Sequence, residues 1–134
     1  MGFEFPCGCE LEKSALESSK DFSFKIYNED GFFSFSGLEN KCKQMIENND
    51  NYCDVSKFCL DYIYCALKGM TEYALKKYGN LPLVYSGGVM SNSIIKSKLN
   101  NSFNGFFAEP VFSCDNAAGV AVFAAVKECG TWQF

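Results

Sequence analysis

Apolar residues recur at helical spacing over one long stretch, Val55, Phe58, Cys59, Tyr62, Ala66, Met70, Tyr73 and Ala74. This spacing marks one buried face at 3.6 residues per turn and predicts a helix from a cap at Asp54 to about Lys77, ended by Gly79-Asn80. Upstream, Ser36-Gly37-Leu38-Glu39 has capping-box spacing and predicts a helix over residues 37–47, with Asn48 to Asn51 as a polar break. A short amphipathic helix is predicted near Glu10 to Ser18. Two aromatic runs, Phe22 to Tyr27 and Phe32 to Phe35, nearly alternate around Asn28-Glu29-Asp30-Gly31. Asp-Gly accepts positive φ, so they read as a β-hairpin.

The second half changes period. Leu81 to Tyr85 is a short apolar run entering Ser86-Gly87-Gly88, a helix opens at Ser91 or Asn92 and runs to about Leu99, and Phe106-Phe107-Ala108 forms another short strand. An alanine-rich helix then runs from Asp115 to about Lys127. Strands alternating with helices imply a parallel, helix-covered sheet, so the fold class is α/β, with the hairpin as an antiparallel addition. No internal repeat or low-complexity segment interrupts the pattern.

The chain has 134 residues, which suits a single domain over 1–134, and its 14 Phe predict an aromatic-rich core. No run approaches the roughly 18 apolar residues of a membrane span. Met1 to Cys9 includes Glu4 and lacks the basic flank of a secretory signal. The net charge of −4 argues against a basic face gripping a phosphate backbone. Lys41 with Lys43 and Lys96 with Lys98 read as solvated helix faces. Eight Cys without a Cys-x-x-Cys pair point to reduced thiols in the cytosol, with Cys59 packing as a small hydrophobe. Cys7 and Cys9 are the one pair close enough in sequence to note for redox or metal chemistry. The chain has no His, which excludes a His-based general base, triad or metal ligand from this chain alone.

Three segments could carry chemistry, and each has a plain structural alternative. Tyr85 to Asn92 joins a strand, a double glycine and a helix start, where backbone can approach a ligand and free N–H groups point outward. A tight turn explains the same residues. Asp115, within Ser113 to Ala118, could place a carboxylate in a cleft for a metal, or simply cap its helix. Phe33 to Leu38 is accounted for by hairpin and cap.

Taken in order, Pro6-Cys7-Gly8, Phe33-Ser34-Phe35-Ser36-Gly37-Leu38, Ser86-Gly87-Gly88-Val89 with Asn92, and Cys114-Asp115-Asn116-Ala117-Ala118 resemble the second half of the tRNA threonylcarbamoyladenosine transferase (glycoprotease-like) family. The likeness spans nearly the whole chain. It implies part of an actin-like lobe of the sugar kinase/Hsp70, ribonuclease H-like type. In this family two lobes flank a nucleotide and metal cleft, and a threonylcarbamoyl group passes from an adenylate to an adenosine of tRNA. By resemblance, Gly8 matches a ligand-contacting glycine, Gly87, Gly88 and Asn92 match the adenosine-side turn, and Asp115 matches the metal-binding Asp.

The departures are equally specific. The family's His-x-x-x-His pair, its phosphate-cradling glycine segment and the first strands of this lobe have no counterpart here. Pro-Gly-Gly-Pro has become Pro6-Cys7-Gly8-Cys9, and Lys-Thr after Ser-Gly-Leu has become Glu39-Asn40, which reverses a charge. The expectation is a truncated or excised piece of a divergent, cytoplasmic paralogue that binds no cofactor alone. The parent family uses ATP or threonylcarbamoyl-adenylate with a divalent metal. Its partners would be the amino-terminal half of the parent, a second copy of itself, and tRNA only through the parent, with no membrane. The alternatives are a non-catalytic dimerising module and a sugar-kinase-like phosphotransferase fragment. The decisive geometric expectation is that Asn92 and Asp115 face the same half of a cleft.

Overall fold

The computed structural model describes residues 1–25, 30–113 and 117–129. Its elements are α1 (Gly8–Leu16), α2 (Ser36–Glu47), α3 (Tyr52–Tyr78), β1 (Val84–Tyr85), a 3-10 turn (Gly88–Ser91), α4 (Ser93–Phe103), β2 (Phe106–Phe107), α5 (Pro110–Ser113) and α6 (Ala117–Cys129). The class is α/β, mostly helical, with a small parallel sheet. No helix among the described residues is long and apolar enough to cross a membrane.

The 27-residue α3 is the organising element. It starts three residues before the sequence expectation. Asn51, not Asp54, is its cap, accepting a hydrogen bond from the Cys53 amide at 2.9 Å. Asp54 instead accepts from Ser18 at 2.7 Å and pairs with Lys20 at 2.5 Å. Gly79, at φ 83, ends the helix.

The expected apolar stripe of α3 is only part of its packed surface. Val55 and Ala66 are buried, but Met70 is exposed. The deepest positions are a second stripe that includes Ser56, Leu60 and Asp61. α1 and α4 cover that side. Ser56 donates to Ser14 at 3.0 Å, two small side chains where α1 packs on α3. Leu60 joins Ala15, Met90, Ile95 and Leu99 in the core, and the last two, spaced i and i+4, form the inner face of α4.

Asp61 is fully buried and accepts from three donors: Lys57 at 2.9 Å, Lys98 at 2.6 Å and the Phe22 amide at 3.0 Å. Lys98 is therefore not a solvated residue of a helix face. Its charge is committed to Asp61, because a buried carboxylate must be paired. Burial works against the charge of Lys57, but hydrogen bonds to Asp21 and Asp61 outweigh it and hold the pKa above the usual lysine value.

The predicted hairpin does not appear in the described residues. Asp30 and Gly31 adopt positive φ, as their sequence suggests. Residues 21–25, however, carry no strand and Phe32 makes only an isolated bridge, while 26–29 lie outside the described residues. The aromatics pack on α3 instead of pairing with each other across a ladder. The rings of Phe22 and Phe24 meet Phe58 at 5.3 and 4.9 Å, and Phe35 meets Tyr62 at 6.2 Å. The Phe22 amide, which a hairpin would use in its ladder, is spent on Asp61.

The capping box at α2 is also not made. Phe35 is the N-cap, Ser36 donates its amide to the Ser34 hydroxyl at 3.3 Å, and Glu39 pairs with Lys43 at 2.6 Å rather than reaching back.

The expected parallel pairing of the second half is present. Val84 lies opposite Phe106 and Tyr85 opposite Phe107, with α4 as the crossover. Asn104 at φ 49 turns the chain out of α4. Gly105 is required by close approach, since a Cβ there would lie 2.4 Å from the Tyr85 ring. Tyr85 stacks on Phe107 at 4.8 Å and shares a hydrogen bond with Thr71 at 3.1 Å, anchoring the sheet to α3.

Candidate functional site

The segment Ser86 to Asn92 leaves the carboxyl end of β1. β2 likewise leads through Ala108 into α5 and then toward 114–116. Loops at the carboxyl ends of parallel strands are where open α/β sheets place ligands. Gly87 sits at φ 108, a conformation that only glycine adopts readily. A Cβ built at Gly8, Gly87 or Gly88 would meet nothing within 4 Å. No packing inside the chain therefore demands glycine at Gly8 or Gly88, and their backbones stay open to approach from outside.

Asn92 is the N-cap of α4, its side-chain oxygen accepting from the Ile95 amide at 3.1 Å. That bond fixes the carboxamide and leaves its NH2 group as the donor able to turn to a ligand. The 3-10 turn that fills the gap between the glycines and α4 buries Met90 in the core, which locks the turn in place.

Glu12 is the residue that sequence reasoning missed. Its carboxylate accepts from the Ser93 amide at 3.0 Å and, very closely, from the Ser93 hydroxyl. A carboxylate at a helix N-terminus satisfies a free N–H and complements the dipole. This contact ties α1 to the start of α4, and Gly8 stands one turn before Glu12 on α1. The partners are 81 positions apart, and no local pattern signals the pairing.

Asp115, with Cys114 and Asn116, lies outside the described residues. α5, which ends at Ser113, packs against the 3-10 turn Gly88–Ser91. Among the described residues, the hydroxyls of Ser91 and Ser113, on touching elements, are buried without a hydrogen-bond partner.

An open groove of about 490 Å³ runs from Ser93 past Lys96 to Phe107, with the Lys96 ammonium 5.5 Å from the Phe107 ring centre. A larger groove of about 670 Å³ lies among Asn80, Asn100, Asn101 and Asn104 at the other end of the strands, away from the glycine turn.

For a metal the fit is poor. Among the described residues no three Cys, Asp or Glu side chains gather as a metal site, and the sequence has no His. At most, Asp115 would give one carboxylate to a site completed elsewhere. Cys7 occupies the N-cap of α1 and Cys9 is exposed. Positions two apart on a helix do not share a face, which argues against the two thiols acting as a pair.

A family model described as tRNA N6-adenosine threonylcarbamoyltransferase matches residues 1–122. Curated relatives of that name resemble the chain along nearly its full length. One from Buchnera aphidicola is 31% identical, over 96% of this chain and 42% of its own. One from Mycoplasma capricolum is 31% identical, over 95% of this chain and 44% of its own. One from Kosmotoga olearia is 31% identical, over 95% and 42% respectively. The chain thus spans less than half the length of these relatives.

Proposed function

The chain belongs to the tRNA N6-adenosine threonylcarbamoyltransferase family, and from that premise we propose that it forms one wall of a nucleotide cleft, inactive until the rest of a family protein supplies the other. The supporting observation is the pair of buried hydroxyls, Ser91 and Ser113, without a partner among the described residues, where the glycine turn meets α5. In this reading the chain is the carboxy-terminal part of an actin-like second lobe. Gly8, Gly87 and Gly88 let a nucleotide approach backbone, Asn92 offers its NH2 group to the adenosine side, and Asp115 adds one carboxylate to a divalent metal. The contact of Glu12 with Ser93 ties α1 to the start of α4. ATP or threonylcarbamoyl-adenylate and tRNA would be engaged only by the assembled protein, in the cytoplasm.

The test has two arms. The chain alone, titrated with ATP and magnesium, is expected to show no thermal shift. Mixed with the amino-terminal part of the Kosmotoga olearia relative, it is expected to gain nucleotide binding that Asn92→Ala and Asp115→Ala weaken. A clear shift in the chain alone, or reconstituted binding indifferent to both substitutions, would overturn the reading.

A second reading, a non-catalytic dimerising module, is favoured by one observation. Val84 and Phe106, paired across β1 and β2, are 72% and 69% exposed on one sheet face. Such a face seeks cover. Sedimentation at micromolar concentration decides: a dimer supports this reading and a strict monomer removes it.

A further inference from the structure

We propose that the Asn-lined groove beside β2 receives a second copy of this chain, with Phe106 of each copy seated in the groove of the other. This rests on the dimerising reading and names the surface that carries it. The groove, of about 670 Å³, is bordered by Asn80, Asn100, Asn101 and Asn104, all exposed, with Leu81 and Phe106 among its apolar walls. No Asp, Glu, Lys or Arg among the described residues lines it, although charged residues make up 21% of the chain.

Charge, hydrogen bonding and shape each select a copy of the chain as the occupant. Each copy carries a net charge of −4, so two copies repel except where neither presents a charge. The groove is such a place, and the cores of protein interfaces are likewise depleted of charge. A basic partner drawn to the acidic chain would find no counter-charge on this lining.

A two-fold interface must complement itself, residue i meeting j while j meets i. Each Asn carboxamide carries a donor NH2 group and an acceptor oxygen, so carboxamides of two identical surfaces can satisfy one another. Lys or Glu in the same places could not pair with their own kind. The shape has the same property. Phe106 projects into solvent and also lines the recess, so a knob and a hole stand side by side. A two-fold axis between them brings each ring to the other copy's recess at once. Val84, opposite Phe106 in the sheet, and Leu81 are also exposed and widen the apolar surface around the ring. A central aromatic anchor within a polar rim is how such contacts concentrate their energy.

Sedimentation velocity of the 134-residue chain across micromolar concentrations tests the proposal. A reversible dimer is expected. Phe106→Ser should raise its Kd at least about tenfold, and Phe5→Ser, at an equally exposed ring away from the groove, should leave it unchanged. Asn101→Asp and Asn101→Lys should each sediment as monomers, because like charges then face each other across the axis. An equal mixture of the two should sediment as a dimer, which also shows that neither variant failed to fold. A monomeric wild type removes both this surface and the dimerising reading. A dimer indifferent to Phe106→Ser and to both Asn101 variants keeps that reading and overturns this surface. An open-ended series of larger species overturns the two-fold arrangement. A wild type that stays monomeric and instead binds the amino-terminal part of the Kosmotoga olearia relative, in a manner that Phe106→Ser weakens, assigns the groove to that chain and overturns the second copy.

Discussion

The half of the molecule built around α3 and the half built around the sheet meet their needs in opposite ways. In the first, a fully buried carboxylate finds two ammonium groups and a backbone amide, and loose aromatic segments fold back onto a long helix. In the second, two strands of two residues each leave Val84 and Phe106 in solvent and two serine hydroxyls unpaired. Strands that short cannot bury both faces of a sheet. The contrast teaches that, among the described residues, the polar groups around α3 find partners within the chain, while the unsatisfied hydroxyls and the exposed strand face lie in the half built on the sheet.

The sharpest way to break that contrast is to remove the anchor of the first half. Asp61→Ala would leave Lys57 and Lys98 with only the exposed Asp21 as counter-charge and the Phe22 amide without its acceptor, and should cost about 3 kcal/mol, the lower end for a broken buried pair. Urea denaturation measures it, and a loss under about 1 kcal/mol would mean the network is dispensable.

In the second half, Gly105→Ala would drive a methyl group into the Tyr85 ring. A loss of about 1–3 kcal/mol is expected, as for other overpacked sites. Weakened stacking between Tyr85 and Phe107, seen in near-ultraviolet circular dichroism, should accompany it.

Titration distinguishes the halves more gently. A hydrogen bond and ion pair with Lys57 hold Asp21 below the usual carboxylate value, and Lys20 with Ser18 does the same for Asp54. Groups with lowered native pKa stabilise above their unfolded value, near 3.9 for Asp, and that contribution is lost as pH falls through the lowered value. Lys57, raised, contributes below about 10.4 and loses that contribution as pH climbs through its native value. Stability should therefore fall at both extremes, and Asp54→Asn should flatten the acid limb. An unchanged acid limb in that variant would show that the Lys20 pair contributes nothing, an outcome common for exposed pairs.

The smallest effect on folding should come from Phe106→Ser, within about 0.5 kcal/mol, because the ring is largely in solvent. Its readout is association. Light scattering should show less self-association than the parent chain, and a large stability loss instead would mean the face is already covered.

Much of the fold was legible in the residues. The extent of α3 and α4, the Gly79 stop, the parallel order of β1 and β2 and the cap at Asn92 all follow from periodicity and turn chemistry within a few positions. So does the grouping of Gly87 and Asn92 in one turn. Of the expected hairpin, residues 21–25 carry no strand, because alternating aromatics fit a strand and also fit a coil lying against a helix, while 26–29 lie outside the described residues. The α3 stripe was half right because that helix is packed on two sides, and a single 3.6-residue pattern reveals one. Glu12 gave no signal at all.

The sequence by itself determined the helices, the strand order and the glycine turns, since each depends on φ/ψ preference and side-chain spacing over a few residues. Only the tertiary structure decided that Asp61 would hold three segments together, that Glu12 would reach the first residue of α4 at Ser93, and that Lys98 would point inward. These are contacts between charged or polar groups tens of residues apart. Their energy comes from pairing in a shared low-dielectric interior that exists only once the helices have packed.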